Sequence, residues 1–186
     1  MIIELPNVID EIRIASYKKS LQEINLAQKQ KAGTYNREGT TLNIFHHPEL
    51  EYINVELRGV ISELIPNVIL PRIKPRFDNI RDTGFEYHKY SPGEICHVHG
   101  DGETTEQVGK SYLRFLTFIL FLTTNESGDL VFPAQNVSVK PQAGKVVLFP
   151  PYGFYHHYTK PDTASREIIM TWFVYSDWEL IPVKYD

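Results

Sequence analysis

The chain has 186 residues, of which 42% are hydrophobic and 23% charged, as in an ordinary globular domain large enough to fold alone. A formal net charge of −4 and a pI near 6.0 argue against nucleic-acid binding as its main function. The longest apolar run, FLTFILFL, is far shorter than the roughly 20 residues of a membrane span, so we expect no membrane segment.

The first part of the chain, about residues 1–80, is predicted to be helical. One helix is expected after Asn7, a candidate cap, with Asp10 and Glu11 in its first turn. Its apolar residues recur at helical spacing: Ile9, Ile12, Leu21 and Ile24. A second helix, expected to end near Pro66, has a clearer apolar stripe: Leu50, Ile53, Leu57, Ile61 and Leu64.

From Phe85 onward the pattern changes to short strands separated by turn residues. In FEYHKY, Phe85 and Tyr87 alternate with His88 and Tyr90, as expected for a strand. Further strand segments follow: YLRFLTFILFLTT, GDLVFP, VSVKP, GKVVLFPP, FYHHYT and REIIMTWFVY. Helices followed by many short strands predict an α+β fold, in which the helices pack on one face of a sandwich or barrel.

The stretch EICHVHGDGE places metal-capable side chains at every second position. Alternate residues of a strand share a face and lie about 6.6 Å apart, so His99 and Asp101 can converge on one ion. His97 would lie about 13 Å from Asp101, which is too far for shared ligation. Glu103 could replace Asp101 only if the turn folded further. The economical pair is therefore His99 and Asp101.

A third ligand must come from elsewhere, and FYHHYT offers His156 and His157. Consecutive strand residues point to opposite faces, so only one of them can face the ion. Two histidines and a carboxylate form the facial triad that suits non-haem Fe(II), with open positions for an oxidant and a chelating cosubstrate. Catalytic zinc with the same ligands is chemically possible.

The order of motifs in the second half of the chain resembles the 2-oxoglutarate- and Fe(II)-dependent dioxygenases, specifically their prolyl-4-hydroxylase-like branch. The resemblance covers residues 90–172 and falls on Tyr90, Gly93, His99, Asp101, Arg114, Thr117, Gly128, Phe132, Pro133, Gly144, Phe149, His157, Pro161, Arg166 and Trp172. It implies a double-stranded β-helix, or jelly-roll, as the catalytic core over about residues 85–180. Residues 1–186 would then form a single domain with N-terminal helices.

The resemblance also implies the site residues. His157, rather than His156, takes the place of the family's distal ligand, so the expected iron ligands are His99, Asp101 and His157. Arg166 stands where the family has a basic residue that grips the distal carboxylate of 2-oxoglutarate, as a planar guanidinium can do through two hydrogen bonds.

Two residues depart from the family pattern. Cys96 stands where a tyrosine is usual, and Phe121 replaces a tyrosine whose hydroxyl helps to bind the cosubstrate. Another donor must then contact 2-oxoglutarate, and Tyr90 and Thr171 are candidates. The remaining histidines, His97, His88, His46 and His47, are expected to be solvent-facing or capping.

The implied function is hydroxylation of a C–H bond with Fe(II), 2-oxoglutarate and O2, with release of succinate and CO2, and with ascorbate in support. Branch membership favours a prolyl residue in a peptide or protein as substrate. A free amino acid or other small molecule, or a non-catalytic metal-binding jelly-roll, are the alternatives. No nucleic acid or membrane partner is expected, and the sequence gives no oligomeric state.

The cellular location is predicted from Cys96 and the N-terminus. A single cysteine cannot form an intrachain disulfide, which fits a reducing compartment. The N-terminus, MIIELPNVIDEIR, lacks the basic region and long apolar run of a secretory signal. We therefore expect a cytoplasmic protein.

Overall fold

The computed structural model describes residues 1–24, 30–31, 37–73, 80–102, 104–107 and 110–179. Within these ranges the helices are α1 (Glu11–Glu23), α2 (Glu51–Leu64) and α3 (Leu70–Ile73). The strands of the large sheet are β1 (Ile3–Leu5), β2 (Gln30–Lys31), β3 (Thr40–Asn43), β4 (Ile80–Asp82), β5 (Glu86–Tyr90), β6 (Thr104–Gln107), β7 (Lys110–Phe121), β10 (Val146–Phe149) and β12 (Arg166–Glu179). Those of the small sheet are β8 (Leu130–Phe132), β9 (Val137–Val139) and β11 (Tyr158–Thr159).

Helix α1 begins later than the sequence predicts. Its cap is Asp10, whose side chain accepts a hydrogen bond from the Arg13 backbone N–H at 2.9 Å. Asn7 instead occupies a left-handed turn, with φ 55°, so its predicted capping role was wrong. The buried face of the helix consists of Ile14, Tyr17 and Leu21, and the predicted Ile9 and Ile24 are buried beside its two ends. Ile12, predicted to be apolar packing, is 84% exposed.

Helix α2 buries the predicted stripe through Ile53, Leu57 and Ile61. Helix α2 ends at Leu64, close to Pro66 as predicted, and a π-helical turn, Ile65–Ile69, follows directly and leads into α3. Pro66 lies at the start of that turn, where a proline needs no backbone donor and the wider turn accommodates its ring.

The strands form two antiparallel sheets. The large sheet has the order β1-β10-β7-β12-β5-β3-β2, with β4 beside β12 and β6 beside β7. The small sheet has the order β11-β8-β9. Strand β12 pairs with both β7 and β5, so the two long central strands fix the position of the others.

Two hydrophobic cores lie on opposite faces of the large sheet. The first packs α1 and α2 against one face, through residues such as Tyr17, Leu57 and Phe118. The second fills the space between the two sheets, through residues such as Phe132, Phe149 and Met170. The helices, the large sheet and the small sheet therefore form three successive layers. None of the described helices is long and apolar enough to cross a membrane.

Candidate metal centre and pocket

A short backbone bridge joins His99 and His157. The His99 N–H donates to the His157 carbonyl at 3.0 Å, and the His157 N–H donates to the His99 carbonyl at 2.9 Å. The two rings consequently lie side by side, with their centroids 4.4 Å apart. His156, the next residue in the chain, is exposed on the other face, as the alternation of strand side chains requires.

The structure brings Asp101 to these two rings. One ligand atom from each of His99, Asp101 and His157 lies within 4.8 Å of the others. Asp101 Oδ1 is 3.5 Å from His99 Nε2 and 3.8 Å from His157 Nε2. Glu103, the conceivable substitute for Asp101, lies outside the described residues.

The hydrogen bonds around the triad leave its metal-facing atoms free. His99 Nδ1 is 2.8 Å from the His97 carbonyl and His157 Nδ1 is 3.1 Å from the Tyr155 carbonyl, so each Nδ1–H has an acceptor and each Nε2, once deprotonated, can offer its lone pair to a metal. Asp101 Oδ1 is buried without any hydrogen-bond partner. A buried carboxylate oxygen facing two imidazole lone pairs fits a divalent cation.

Asp101 is held from two sides. Its second oxygen, Oδ2, accepts a hydrogen bond from Thr117 Oγ1 at 2.6 Å. Its backbone carbonyl accepts one from Arg114, whose guanidinium also lies 3.9 Å from the centre of the Trp172 ring. These contacts orient Oδ1 toward the histidines without occupying it.

The electrostatics of the triad favour a cation. Burial would raise the pKa of the Asp101 carboxyl, but the His99 and His157 rings and the Thr117 hydroxyl hold it below its usual range. Burial lowers the pKa of His157 to about 4. Burial also lowers the pKa of His99, but the close approach of Asp101 and Cys96 outweighs this and raises it to about 10. The carboxylate thus attracts positive charge to this point.

Arg166 lies in the same pocket and is almost fully buried, at 1% exposure. It donates to the Gly128 carbonyl at 3.0 Å and to Thr159 Oγ1 at 2.8 Å, and it lies 4.4 Å from the centre of the Tyr90 ring. Among the described residues, no carboxylate lies within ion-pairing distance of it. Burial lowers the pKa of this guanidinium, as expected for a cation without a close counterion.

The two hydroxyl candidates occupy different places. Tyr90 lines the pocket beneath Arg166. Thr171 does not line it: its Oγ1 is 3.4 Å from Thr83 Oγ1, and the side chain is fully buried. The structure therefore does not bring Thr171 together with the other predicted residues. Thr159, which the sequence analysis missed, lies there instead.

Sequence reasoning also missed Arg37 and misjudged His88. His88 was predicted to be solvent-facing or capping, but it is 1% exposed, so that prediction was wrong. Its strand pattern carried the signal, because His88 shares the inward face of β5 with Tyr90. Arg37 lines the pocket through a backbone bridge to Cys96, a distant pairing that no motif marks.

The pocket opens between the two sheets and encloses about 430 Å³ of empty space, including the solvent at its mouth. The triad and the two arginines supply its polar groups, and the remaining wall is largely apolar, with Ile119, Phe121 and Leu130 among its residues. A concave, mostly apolar site with a few convergent polar groups is typical of small-ligand binding.

Comparisons with known proteins agree with this geometry. A sequence model of the family described as the 2OG-Fe(II) oxygenase superfamily matches residues 85–174. No curated protein matches the chain significantly.

Three solved structures illustrate the shared fold. A prolyl hydroxylase from Trichoplax adhaerens, in complex with a hypoxia inducible factor peptide fragment, has a TM-score of 0.70 at 17% identity, over 95% of this chain and 84% of that one. The viral collagen prolyl hydroxylase of Paramecium Bursaria Chlorella virus-1, with 2-oxoglutarate, has a TM-score of 0.64 at 17% identity, over 93% of this chain and 95% of that one. HygX from Streptomyces hygroscopicus, with nickel, 2-oxoglutarate and hygromycin B bound, has a TM-score of 0.58 at 12% identity, over 94% of this chain and 83% of that one. The predicted α+β fold with a jelly-roll core is confirmed.

Proposed function

We propose that the protein is a hydroxylase. The premise is the match of residues 85–174 to the 2OG-Fe(II) oxygenase superfamily, which confirms the resemblance predicted from the motifs. The protein uses Fe(II), 2-oxoglutarate and O2 to hydroxylate a C–H bond. The observation that carries the proposal is the unpartnered Asp101 oxygen, which faces His99 and His157 inside the pocket that also contains Arg166.

Each residue of the pocket has a role in this proposal. His99, Asp101 and His157 would hold the iron through Nε2, a carboxylate oxygen and Nε2. Arg166 would bind the distal carboxylate of 2-oxoglutarate, for which it has guanidinium donors beyond those given to Gly128 and Thr159.

The bound iron and cosubstrate would supply the oxidising chemistry that converts a C–H bond into an alcohol, with succinate and CO2 as by-products. The chain supplies orientation and a dry environment. Tyr90 and Thr159 keep the Arg166 guanidinium in place from two sides. The apolar wall that contains Phe121 excludes water from the ligands.

A prolyl residue in a peptide or protein is the favoured substrate. The support is the likeness to prolyl hydroxylases, one of which has a peptide fragment bound. A small-molecule substrate is the second candidate, since HygX shares the fold and has hygromycin B bound. A supporting role for ascorbate and a cytoplasmic location stay predictions from the sequence.

The test is succinate formation from 2-oxoglutarate by the purified protein with Fe(II), ascorbate and air. We expect slow succinate formation even without the prime substrate, and its loss in His157→Ala. His156→Ala is a matched control, because the neighbouring ring is exposed and should leave the rate unchanged.

Two results would contradict the proposal. Equal succinate formation by His157→Ala and the wild type would place the reaction elsewhere. Neither succinate formation nor 2-oxoglutarate binding by the wild type in calorimetry would leave only a metal-binding jelly-roll.

A further inference from the structure

A second guanidinium faces the pocket, and the proposed reaction does not use it. Arg37 precedes β3, and its backbone forms an isolated bridge with Cys96, three residues before the first metal ligand. Its side chain lines the pocket together with His99 and Asp101. Arg166 is held in place by hydrogen bonds to Gly128 and Thr159, whereas Arg37 makes neither contact, so the two arginines are positioned independently.

The orientation of Arg37 is fixed by a hydrogen-bonded chain from β5. His88 Nε2 lies 3.1 Å from Glu86 Oε2, and His88 Nδ1 lies 3.4 Å from Arg37 Nη1. The His88 ring is buried and burial lowers its pKa, so the neutral ring donates from Nε2 to Glu86 and accepts at Nδ1 from Arg37. These hydrogen bonds from Glu86 through His88 hold the Arg37 guanidinium in place.

Among the described residues, Arg37 has few hydrogen-bond partners for its five donors. A guanidinium has five N–H donors, and the Arg37 contacts are His88 and the Cys96 sulfur. In the part of the chain that the structure describes, no carboxylate lies within ion-pairing distance of Arg37. Burial lowers the pKa of Arg37, but Tyr90, Cys96, Asp101 and Glu86 outweigh this and raise it, so the half-buried guanidinium stays charged and can attract an anion in the pocket.

The charge of the pocket also favours the binding of an anion. Among the described residues, the lining contains two guanidiniums, Arg37 and Arg166, against one carboxylate, Asp101. Divalent iron and 2-oxoglutarate would cancel each other, so with Cys96 as a thiol and neutral histidines these lining groups have one positive charge in excess. Glu86 acts on Arg37 only from behind the His88 ring. One further anionic group, brought by the substrate, would balance it.

We propose that Arg37 binds a carboxylate of the substrate, close to the carbon that is hydroxylated. This inference rests on the proposed function and narrows its substrate class. Free amino acids and the C-terminal residues of peptides both present such a carboxylate. An internal prolyl residue presents an uncharged amide at the same place and leaves Arg37 unpaired.

The first test uses acetate as a probe that any carboxylate site accepts, with acetamide as its neutral counterpart. Protein loaded with Mn(II), as a paramagnetic probe, and saturating 2-oxoglutarate should enhance the NMR relaxation of the acetate methyl protons far more than that of acetamide. Arg37→Gln should weaken acetate binding about tenfold or more, because it removes a charged hydrogen-bond donor. Arg37→Lys should retain part of the binding, and Arg13→Gln, a change at an exposed arginine of α1, should retain all of it.

The outcome separates this inference from the proposed function. Calorimetry of 2-oxoglutarate binding to the wild type reports on the proposed function alone. If 2-oxoglutarate binds but acetate and acetamide relax alike, or if Arg37→Gln and Arg37→Lys both bind acetate as the wild type does, Arg37 is not a carboxylate site.

A second test distinguishes the sources of the carboxylate by the stimulation of succinate formation. Stimulation by free L-proline but not by L-prolinamide would support a free amino acid. Stimulation by N-acetyl dipeptides that end in a free prolyl carboxylate would support a C-terminal residue. Equal stimulation by acids and their amides would overturn the proposal.

Discussion

At the scale of single residues, Asp101 depends on Thr117 for its orientation. The Thr117 hydroxyl donates to one carboxylate oxygen and leaves the other free to face the histidines. Groups that orient a metal ligand typically contribute 10- to 100-fold to metal affinity.

We therefore expect Thr117→Val, which keeps the shape but removes the donor, to weaken Fe(II) binding about 10- to 100-fold. Competition with a chelator of known affinity measures this change. Thr163→Val, at an exposed loop position, is the control and should bind iron like the wild type. An unchanged affinity in Thr117→Val would show that the carboxylate needs no such support.

Thr159 provides a hydroxyl in the pocket, where the sequence pattern leaves one missing at Phe121. Phe121 lines the pocket without a donor, whereas Thr159 Oγ1 lies 2.8 Å from Arg166 Nη2 and also accepts from the Cys96 N–H at 2.8 Å. A hydroxyl at this point holds the guanidinium that is proposed to bind the cosubstrate.

Thr159→Val should consequently weaken 2-oxoglutarate binding by about tenfold, the effect of one lost hydrogen bond to a charged group. Calorimetry of the metal-loaded protein without oxygen gives the affinity. Iron binding should be unaffected, because the Thr159 hydroxyl hydrogen-bonds to Cys96 and Arg166 and not to the predicted ligands. A loss of iron binding equal to the loss of 2-oxoglutarate binding would indicate general unfolding instead.

At the scale of elements, strands were easier to predict than helix ends. The alternation in β5 and the aromatic, β-branched runs of β7 and β12 identified these strands. The start of α1 was missed because Asn7 and Asp10 are both good caps, and only the turn geometry decides between them. Strand β1 was not predicted, because a three-residue edge strand is too short to show a period.

The loop before β8 illustrates how an element supports the site. Gly128 has φ +79°, and a Cβ there would overlap the Asp162 carboxylate, while its carbonyl accepts from Arg166. Asp162 in turn accepts hydrogen bonds from Asn125 at 2.6 Å and Ser127 at 2.8 Å. The glycine is thus required for both the turn and the position of the arginine.

Gly128→Ala should lower the free energy of unfolding by about 1–3 kcal/mol, since alanine is strained at positive φ and crowds the carboxylate. Gly59→Ala is the matched control: nothing lies within 4 Å of the added methyl on the exposed face of α2. For Gly59→Ala we expect the free energy of unfolding to rise by about 0.5–1 kcal/mol. Urea denaturation measures both, and a neutral Gly128→Ala would contradict the tight turn.

At the scale of the whole molecule, the site forms where distant segments converge between two sheets. Spacing in the chain predicted that His99, Asp101, His157 and Arg166 share one site, because the family motif fixes their order. Spacing could not reveal Arg37, whose contribution depends on a backbone bridge to Cys96. Likewise, Thr159 and Thr117 acquire their roles only through the pairing of strands.

The most direct measurement of the central claim is the visible absorption of the protein with Fe(II) and 2-oxoglutarate in the absence of oxygen. Chelation of iron by the keto acid produces a charge-transfer band that requires neither substrate nor turnover. The account predicts this band for the wild type and for His156→Ala, and its loss in His157→Ala. Stoichiometric iron binding by the wild type without any band on addition of 2-oxoglutarate would contradict the account.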